Sequence, residues 1–165
     1  MTIAEAIEAS RTARRGSLKR ELRAILAAAA QTPMPQGDAA RAGELCDALG
    51  VTSAAAGEFT QRLVEEKHLA AQVDRSDAPA RLAKAEAELA ELQREQREEE
   101  LAVVKRLDDP SNQSRRRAEQ SAIAERYSAR IAEATGKVNS ARQARDEFMR
   151  TAERLAALRR QIQNW

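Results

Sequence analysis

The chain has 165 residues, 42% hydrophobic and 33% charged, and its aromatic residues are two Phe, one Tyr and one Trp. So few large side chains exclude a thick hydrophobic core, and the scarcity of β-branched residues excludes a fold built on strands. The net charge of +2 indicates no class of partner, and the longest strongly apolar run, residues 24–30, is too short to cross a bilayer. We therefore expect an all-α fold whose helices meet along narrow seams.

The charge is distributed unevenly along the chain. Basic residues outnumber acidic ones six to three in residues 1–31 and twelve to six in residues 111–165. Acidic residues outnumber basic ones seven to four in residues 32–76 and ten to six in residues 77–110. This asymmetry either pairs the chain with itself or provides a basic face for nucleic acid or an acidic membrane.

The first predicted helix runs from about Ile3 to Gln31, with an imperfect apolar face that is broken near Gly16. It ends at a linker over residues 32–37, because two prolines and a glycine within five positions break a helix. One face of this helix is basic and carries Arg11, Arg14, Arg15, Lys19, Arg20 and Arg23.

Two shorter helices follow the linker. Asp38 is placed to cap the second helix, and Gly50 can supply the left-handed residue that ends it. Thr52 or Ser53 can cap the third helix, which extends to about Val73.

Residues 45–52, Leu-Cys-Asp-Ala-Leu-Gly-Val-Thr, resemble the first helix and turn of a bacterial helix-turn-helix. The resemblance extends to Ala56 and Phe59, which stand where the second helix of that motif faces inward, and it implies a DNA-reading helix. The corresponding segment, residues 52–61, has no Lys or Arg and one Glu, so it offers no attraction for phosphate. A plain helical corner turned by Gly50 is the favoured interpretation, and a protein-docking surface is the third.

Two long helices are predicted beyond residue 76, the fourth ending at Leu107 and the fifth running from beyond Pro110 to about Gln163. The fifth helix carries a seven-residue repeat in which ten of twelve positions are apolar, as is typical of a coiled coil. These positions are Ala124, Tyr127, Ile131, Ala134, Val138, Ala141, Arg145, Phe148, Ala152, Leu155, Arg159 and Ile162. Arg145 and Arg159, the two polar members, either fix the register or mark where the seam turns to solvent.

The break at Pro110 allows two architectures. Either the chain reverses near residues 108–114 to form an antiparallel hairpin, or one kinked helix continues and pairs with another molecule. Charge and register favour reversal, because the acidic fourth helix then lies along the basic fifth helix and Leu92 falls opposite Ile131. The predicted coiled-coil seam comprises Leu82, Leu89, Leu92, Tyr127, Ile131 and Val138.

The predicted fold is thus a long antiparallel coiled-coil helical hairpin, residues 77–165, that projects from a small three-helix head, residues 1–76. The end of the hairpin, residues 146–165, outruns its partner helix and is expected to pack back on the head. Phe148, Leu155 and Ile162 in this end are covered either by the head or by a partner, and they are therefore possible partner-binding residues.

Three consecutive arginines at the predicted turn form a further possible partner-binding cluster. Arg115, Arg116 and Arg117 could contact phosphates, lipid head groups or an acidic protein patch. The alternative is a solvated hairpin end, because acidic residues lie beside the cluster and no aromatic residue is near for base stacking.

We predict no catalytic residue, no cofactor and no metal site. His68 is the only histidine, so the Glu65-x-x-His68 spacing lacks the second copy that a di-iron site requires. His68 is interpreted as a surface residue near a helix end. Cys46 is the only cysteine and is interpreted as a small core residue; it cannot form an internal disulfide, which fits a reducing, cytoplasmic location.

The expected function is that of a non-enzymatic structural or interaction protein, with itself or a larger assembly as its partner. In composition the chain resembles phage and other scaffolding or accessory proteins of macromolecular assemblies, and we expect a homo-oligomer without a membrane partner. The alternative is a nucleic-acid-associated protein that binds through its basic helical faces.

Overall fold

The computed structural model describes the backbone of residues 3–165 and the side chains of this range except those of Ile3, Ala4 and Ala6. Within these residues the chain is helical and contains no strand, which confirms the predicted all-α class. The described helices are α1 (Ile3–Ala29), α2 (Gln36–Leu49), α3 (Ser53–Arg75), α4 (Ala78–Arg106) and α5 (Gln113–Asn164), with a short 3-10 turn over Pro110–Asn112.

The turn between α2 and α3 has the predicted conformation. Gly50 has φ 69° and ψ 31°, the left-handed region in which a residue without Cβ is least strained. The Thr52 Oγ1 atom accepts the Ala55 N–H at 3.2 Å, so Thr52 is the capping residue of α3.

The predicted cap of α2 is wrong. The helix begins at Gln36, two residues before Asp38, because the Pro35 carbonyl already accepts the Ala39 N–H at 3.0 Å. Asp38 consequently lies in the first turn, where its carboxylate faces the positive end of the helix dipole.

The chain divides into two compact units. Unit 1 comprises Met1–Asp74 and Ala152–Trp165, and unit 2 comprises Arg75–Thr151, so α5 contributes residues to both. The arrangement of a hairpin projecting from a head stays a prediction.

Unit 1 is built around one main cluster and one smaller cluster of buried side chains. The main cluster contains Leu22, Leu26, Ala42, Leu45, Cys46, Leu49, Ala56 and Phe59, and the smaller contains Leu69, Leu155 and Leu158. The Trp165 ring stacks on Phe59 with centroids 4.1 Å apart. The confirmed inward placement of Ala56 and Phe59 shows that the α2–α3 corner packs as the sequence pattern indicates.

A bidentate ion pair joins α1 to α2 at the surface of unit 1. Arg41 donates from Nε to Glu21 Oε1 at 2.8 Å and from Nη2 to Glu21 Oε2 at 3.2 Å. These hydrogen bonds from Arg41 hold the pKa of the Glu21 carboxyl below its usual value.

In unit 2, α4 and α5 are separate helices with a capped turn between them. The Asp109 carboxylate accepts hydrogen bonds from the Ser111 Oγ at 2.7 Å and the Ser111 N–H at 2.8 Å, which lower the pKa of Asp109. The buried side chains of this unit form two small clusters, one of Val103, Leu107, Ile123 and Tyr127, and one of Ala85, Val138 and Ala141.

Candidate functional site

The side chains predicted for the coiled-coil seam lie in or beside the two clusters of unit 2. Tyr127 and Val138 are buried, Ile131 packs against the first cluster, and Leu82 and Leu89 pack against the second. Leu92 is half-buried. The seam therefore combines large side chains with alanines, which allow two helix backbones to approach closely.

Hydrogen-bonded charge pairs accompany these apolar contacts. Glu99 accepts from Arg126 Nη2 at 2.8 Å and from the Tyr127 hydroxyl at 2.7 Å. Farther along, Arg142 Nη2 donates to Glu86 Oε1 at 3.1 Å. In these two pairs the residue number falls on α4 as it rises on α5. Each exposed pair contributes only ~0.2 to 1 kcal/mol to stability.

The buried face of α5 departs from the strict seven-residue repeat near its ends. Ala124 is exposed and its neighbour Ile123 is buried, so the prediction for position 124 is wrong. Arg159 is exposed and its neighbour Leu158 is buried. An α-helix of about 3.6 residues per turn drifts relative to a strict seven-residue repeat, so the buried face does not follow the repeat along all of α5. At both positions the larger apolar side chain is the buried one.

Arg145 and Arg159, the two arginines within the repeat, are exposed. They mark where the seam turns to solvent, one of the two predicted alternatives. Arg145 forms an ion pair with the adjacent Asp146 at 2.9 Å. The Arg159 Nε donates to Glu66 Oε1 at 2.7 Å, an exposed contact between α5 and α3.

The last part of α5 is covered by the helices of unit 1. Leu155 is buried with Leu69, and Ile162 packs against both clusters of this unit. These two side chains are thus occupied by contacts within the chain, whereas Phe148, in unit 2, is half-buried.

The three arginines at the start of α5 are partly neutralised. Arg115 Nε donates to Glu119 Oε1 at 3.2 Å, and Arg106 also pairs with Glu119. Arg117 is exposed and Arg116 is half-buried. The cluster therefore presents less free positive charge than its sequence indicates.

His68 and Cys46 have the environments predicted for them. His68 is exposed on α3, and its Nε2 lies 3.0 Å from the side-chain nitrogen of Gln72. Cys46 is buried, and desolvation, with a smaller effect of Asp47, raises the pKa of its thiol. In the described part of the chain, no three His, Cys, Asp or Glu side chains are grouped so as to hold a metal ion.

The sequence did not predict an apolar groove of about 810 Å³ in unit 1, hereafter the α2–α3 groove. One wall is a face of α3 that runs from Ser53 to His68, a length of about 22 Å at 1.5 Å per residue. The lining residues are Leu26, Ala29, Met34, Ala39, Ala42, Gly43, Cys46, Ser53, Ala56, Gly57, Thr60, Gln61, Val64, Glu65 and His68.

The groove is open, apolar and almost free of charge. Val64 is 49% exposed, a large fraction for an apolar side chain in this chain. The Thr60 hydroxyl is already satisfied by the Ala56 carbonyl at 3.1 Å, and Glu65, the single carboxylate among the lining residues, pairs with Arg154. The walls consequently offer an apolar surface with few free polar groups.

A sequence signal for this groove exists in α3. Small or apolar residues recur three or four positions apart on the face next to the buried Phe59: Ser53, then Ala56 and Gly57, then Thr60, then Val64. The protein-docking surface, the third interpretation of the α2–α3 corner, stays a prediction.

Comparisons with protein-family models, curated proteins and solved structures found no match. Among the described residues, no helix has both the length and the apolarity that a membrane span requires.

Proposed function

We propose that the chain is a non-enzymatic interaction protein whose α2–α3 groove binds an amphipathic helix of a protein partner. The groove itself carries the proposal. It is concave and apolar and has a volume of about 810 Å³, and its single lining carboxylate, Glu65, is already paired with Arg154. Amphipathic helices commonly dock by placing their apolar face in such a groove.

The dimensions and the walls of the groove favour a helix as its occupant. A wall of about 22 Å matches about four helical turns. Gly43 on α2 and Gly57 on α3 leave open space, since a Cβ added at either position meets no atom within 4 Å. The side chains of a partner helix can therefore approach the backbone closely at these two positions.

Charge favours a partner helix with basic edges. No Lys or Arg lines the groove, and the segment that forms α2 and most of α3, residues 32–76, has seven acidic and four basic residues. Four of these carboxylates, including Glu65, are paired with arginines, but Asp38 and Asp47, next to the lining residues Ala39 and Cys46, form no ion pair in the described part of the chain. Lysines or arginines beside the apolar face of a partner helix would meet these two carboxylates, and a helix with acidic edges would be repelled by them.

The proposal assigns a structural role to α4 and α5, which pair as an antiparallel coiled-coil hairpin. Support comes from the contacts of Glu99 with Arg126 and Tyr127, the ion pair of Glu86 with Arg142, and the cluster around Val138. Such a hairpin provides rigid length without a thick core, which suits a component of a larger assembly.

The test measures the binding of a labelled peptide by fluorescence anisotropy. The probe is a peptide of about four helical turns, with leucines every third or fourth residue and lysines beside them. A second peptide carries glutamates in place of the lysines. The protein should bind the lysine peptide saturably and the glutamate peptide more weakly.

Two glycine variants form a matched pair for this experiment. Gly57→Leu fills the groove, and Gly136→Leu makes the same change on α5 in unit 2; both positions are helical and have free space for a Cβ. Gly57→Leu should weaken peptide binding by about tenfold or more, about 1.4 kcal/mol, and Gly136→Leu should leave it unchanged. Equal binding by both variants, or no saturable binding by the wild type, would contradict the proposal.

A further inference from the structure

A second cavity in unit 1 has the opposite chemistry to the groove. Its volume is about 370 Å³, within the ~300 to 1,000 Å³ typical of small-molecule sites. The lining residues are Arg15, Lys19 and Leu22 of α1, Leu49, Gly50, Val51 and Thr52 at the turn between α2 and α3, Ala55 of α3, and Trp165. We call it the basic cavity.

Two positively charged side chains line this cavity, and no Asp or Glu side chain does. The two cations, Arg15 and Lys19, are one helical turn apart. In the part of the chain that the structure describes, neither side chain forms an ion pair, whereas Arg11 on the same helix pairs with Glu8 at 3.9 Å. The cavity therefore has an unneutralised positive charge that attracts an anion.

The backbone at the cavity adds to this attraction. Thr52 caps α3 through the Ala55 N–H, and both residues line the cavity. Because Thr52 already accepts the Ala55 N–H, the contribution of α3 is the positive end of its helix dipole, which favours a negative group nearby.

Apolar and aromatic side chains form the remaining wall. Leu22 is fully buried there, and the Trp165 ring, stacked on Phe59, has the Lys19 ammonium 6.0 Å from its centroid. This wall shields one side of the half-buried Lys19 from water, which strengthens its attraction for an anion, whereas Arg15 is exposed. It also provides a contact surface for the organic part of a ligand.

We propose that the basic cavity binds the phosphate group of an organic phosphate, with Arg15 and Lys19 contacting the phosphate oxygens and Trp165 contacting the organic part. Arginine and lysine are the common phosphate-binding side chains. The phosphate belongs either to a small phosphorylated molecule or to a nucleic acid strand, and the two sources are separated by experiment. The site is independent of the α2–α3 groove.

Trp165 is the only tryptophan of the chain, so its fluorescence reports directly on this cavity. The probes are ribose 5-phosphate and a short single-stranded oligodeoxynucleotide, with ribose as the control that lacks phosphate. Ribose 5-phosphate should change the emission saturably and ribose should not. Tighter binding of the oligonucleotide, with affinity that falls steeply as salt rises, assigns the phosphate to nucleic acid; equal or weaker binding assigns it to a small molecule.

Four charge-removing variants of α1 distinguish a site from general attraction. Arg15→Gln and Lys19→Gln remove lining cations, and Arg14→Gln and Arg20→Gln remove adjacent cations that do not line the cavity. The first two should weaken binding by about tenfold, as for lost charge-assisted hydrogen bonds, and the controls by less than about twofold. Calorimetry provides a second readout that does not depend on the environment of Trp165.

Two results would overturn the proposal. One is the absence of saturable binding of either phosphate probe by fluorescence and calorimetry. The other is an equal loss of affinity in all four variants, which would show diffuse electrostatic attraction. The Gly57→Leu variant should retain phosphate binding, so failure of the groove proposal leaves this result interpretable.

Discussion

Gly50 and Gly57 lie seven residues apart and serve different backbone requirements. Gly50 has a positive φ of 69°, whereas Gly57 lies within α3 and a Cβ there meets no atom within 4 Å. Gly57→Ala should therefore stabilise the protein by roughly 0.5 to 1 kcal/mol, because alanine loses less backbone entropy in a helix. Urea unfolding followed through Trp165 fluorescence measures this change.

Gly50→Ala is the matched control for that substitution. The left-handed conformation is strained for a residue with Cβ, so this variant should destabilise the protein by roughly 1 to 2 kcal/mol. A stabilised Gly50→Ala, or a destabilised Gly57→Ala, would show that the backbone conformations assigned to these two positions are incorrect.

At the scale of elements, the contact between α4 and α5 can be tested through Tyr127, the only tyrosine. The hydrogen bond to the Glu99 carboxylate, followed by desolvation, raises the pKa of Tyr127. The raised pKa favours the protonated phenol in the folded state. Its stabilising effect is therefore complete below the ordinary value of about 10 and is lost as pH rises through the folded value.

Titration of tyrosinate absorbance in the folded protein measures this pKa. Glu99→Gln should lower the pKa of Tyr127 towards its ordinary value, whereas Glu98→Gln, an adjacent charge change, should leave it unchanged. An ordinary pKa in the wild type that does not respond to Glu99→Gln would contradict the contact between these helices.

Helix ends were predictable where a single residue decides them. Gly50 and Thr52 end and begin helices through their own conformation or side chain, and both have the predicted roles. Asp38 is not the cap because the helix already begins after Pro35. Both positions are adequate starting points for a helix, and the local sequence does not decide between them.

The groove was less predictable because it depends on tertiary packing. Its α3 wall has a visible repeat, but the opposite wall joins Leu26 of α1 and Met34 of the linker to small residues of α2. Nothing in the sequence specifies that these parts meet. The prediction of which α5 residues are buried was limited in the same way. Ile123 and Ala124 are adjacent apolar residues, and only the side chains packed against them decide which one is buried.

At the scale of the whole molecule, the uneven charge has two outcomes. Acidic residues of α4 pair with basic residues of α5, as in Glu99 with Arg126, which favours internal pairing for this part of the chain. Arg15 and Lys19 of α1 have no such pairs in the described residues, so internal pairing does not account for their charge. Internal pairing thus accounts for part of the charge asymmetry, and a basic face on α1 for an external anion stays a proposal.

The division into two units predicts how the molecule unfolds. Trp165 reports on unit 1 and Tyr127 on unit 2, and each is the single residue of its type. Leu45 is 1% exposed in the core of unit 1, so Leu45→Ala should destabilise that unit by about 2 to 5 kcal/mol. Unit 2 has its own buried clusters, so this substitution should destabilise it less. The urea concentration at the midpoint of unfolding should therefore fall by more when followed through Trp165 than when followed through Tyr127.

Leu101→Ala is the matched control, because this leucine on α4 is 56% exposed and its loss removes little buried surface. It should move neither transition appreciably. Coincident transitions in the wild type that shift equally in Leu45→Ala would show a single cooperative unit, coupled through the continuous helix α5. A larger shift for Trp165 would instead show that the core of unit 1 can be lost while the contact between Tyr127 and Glu99 persists.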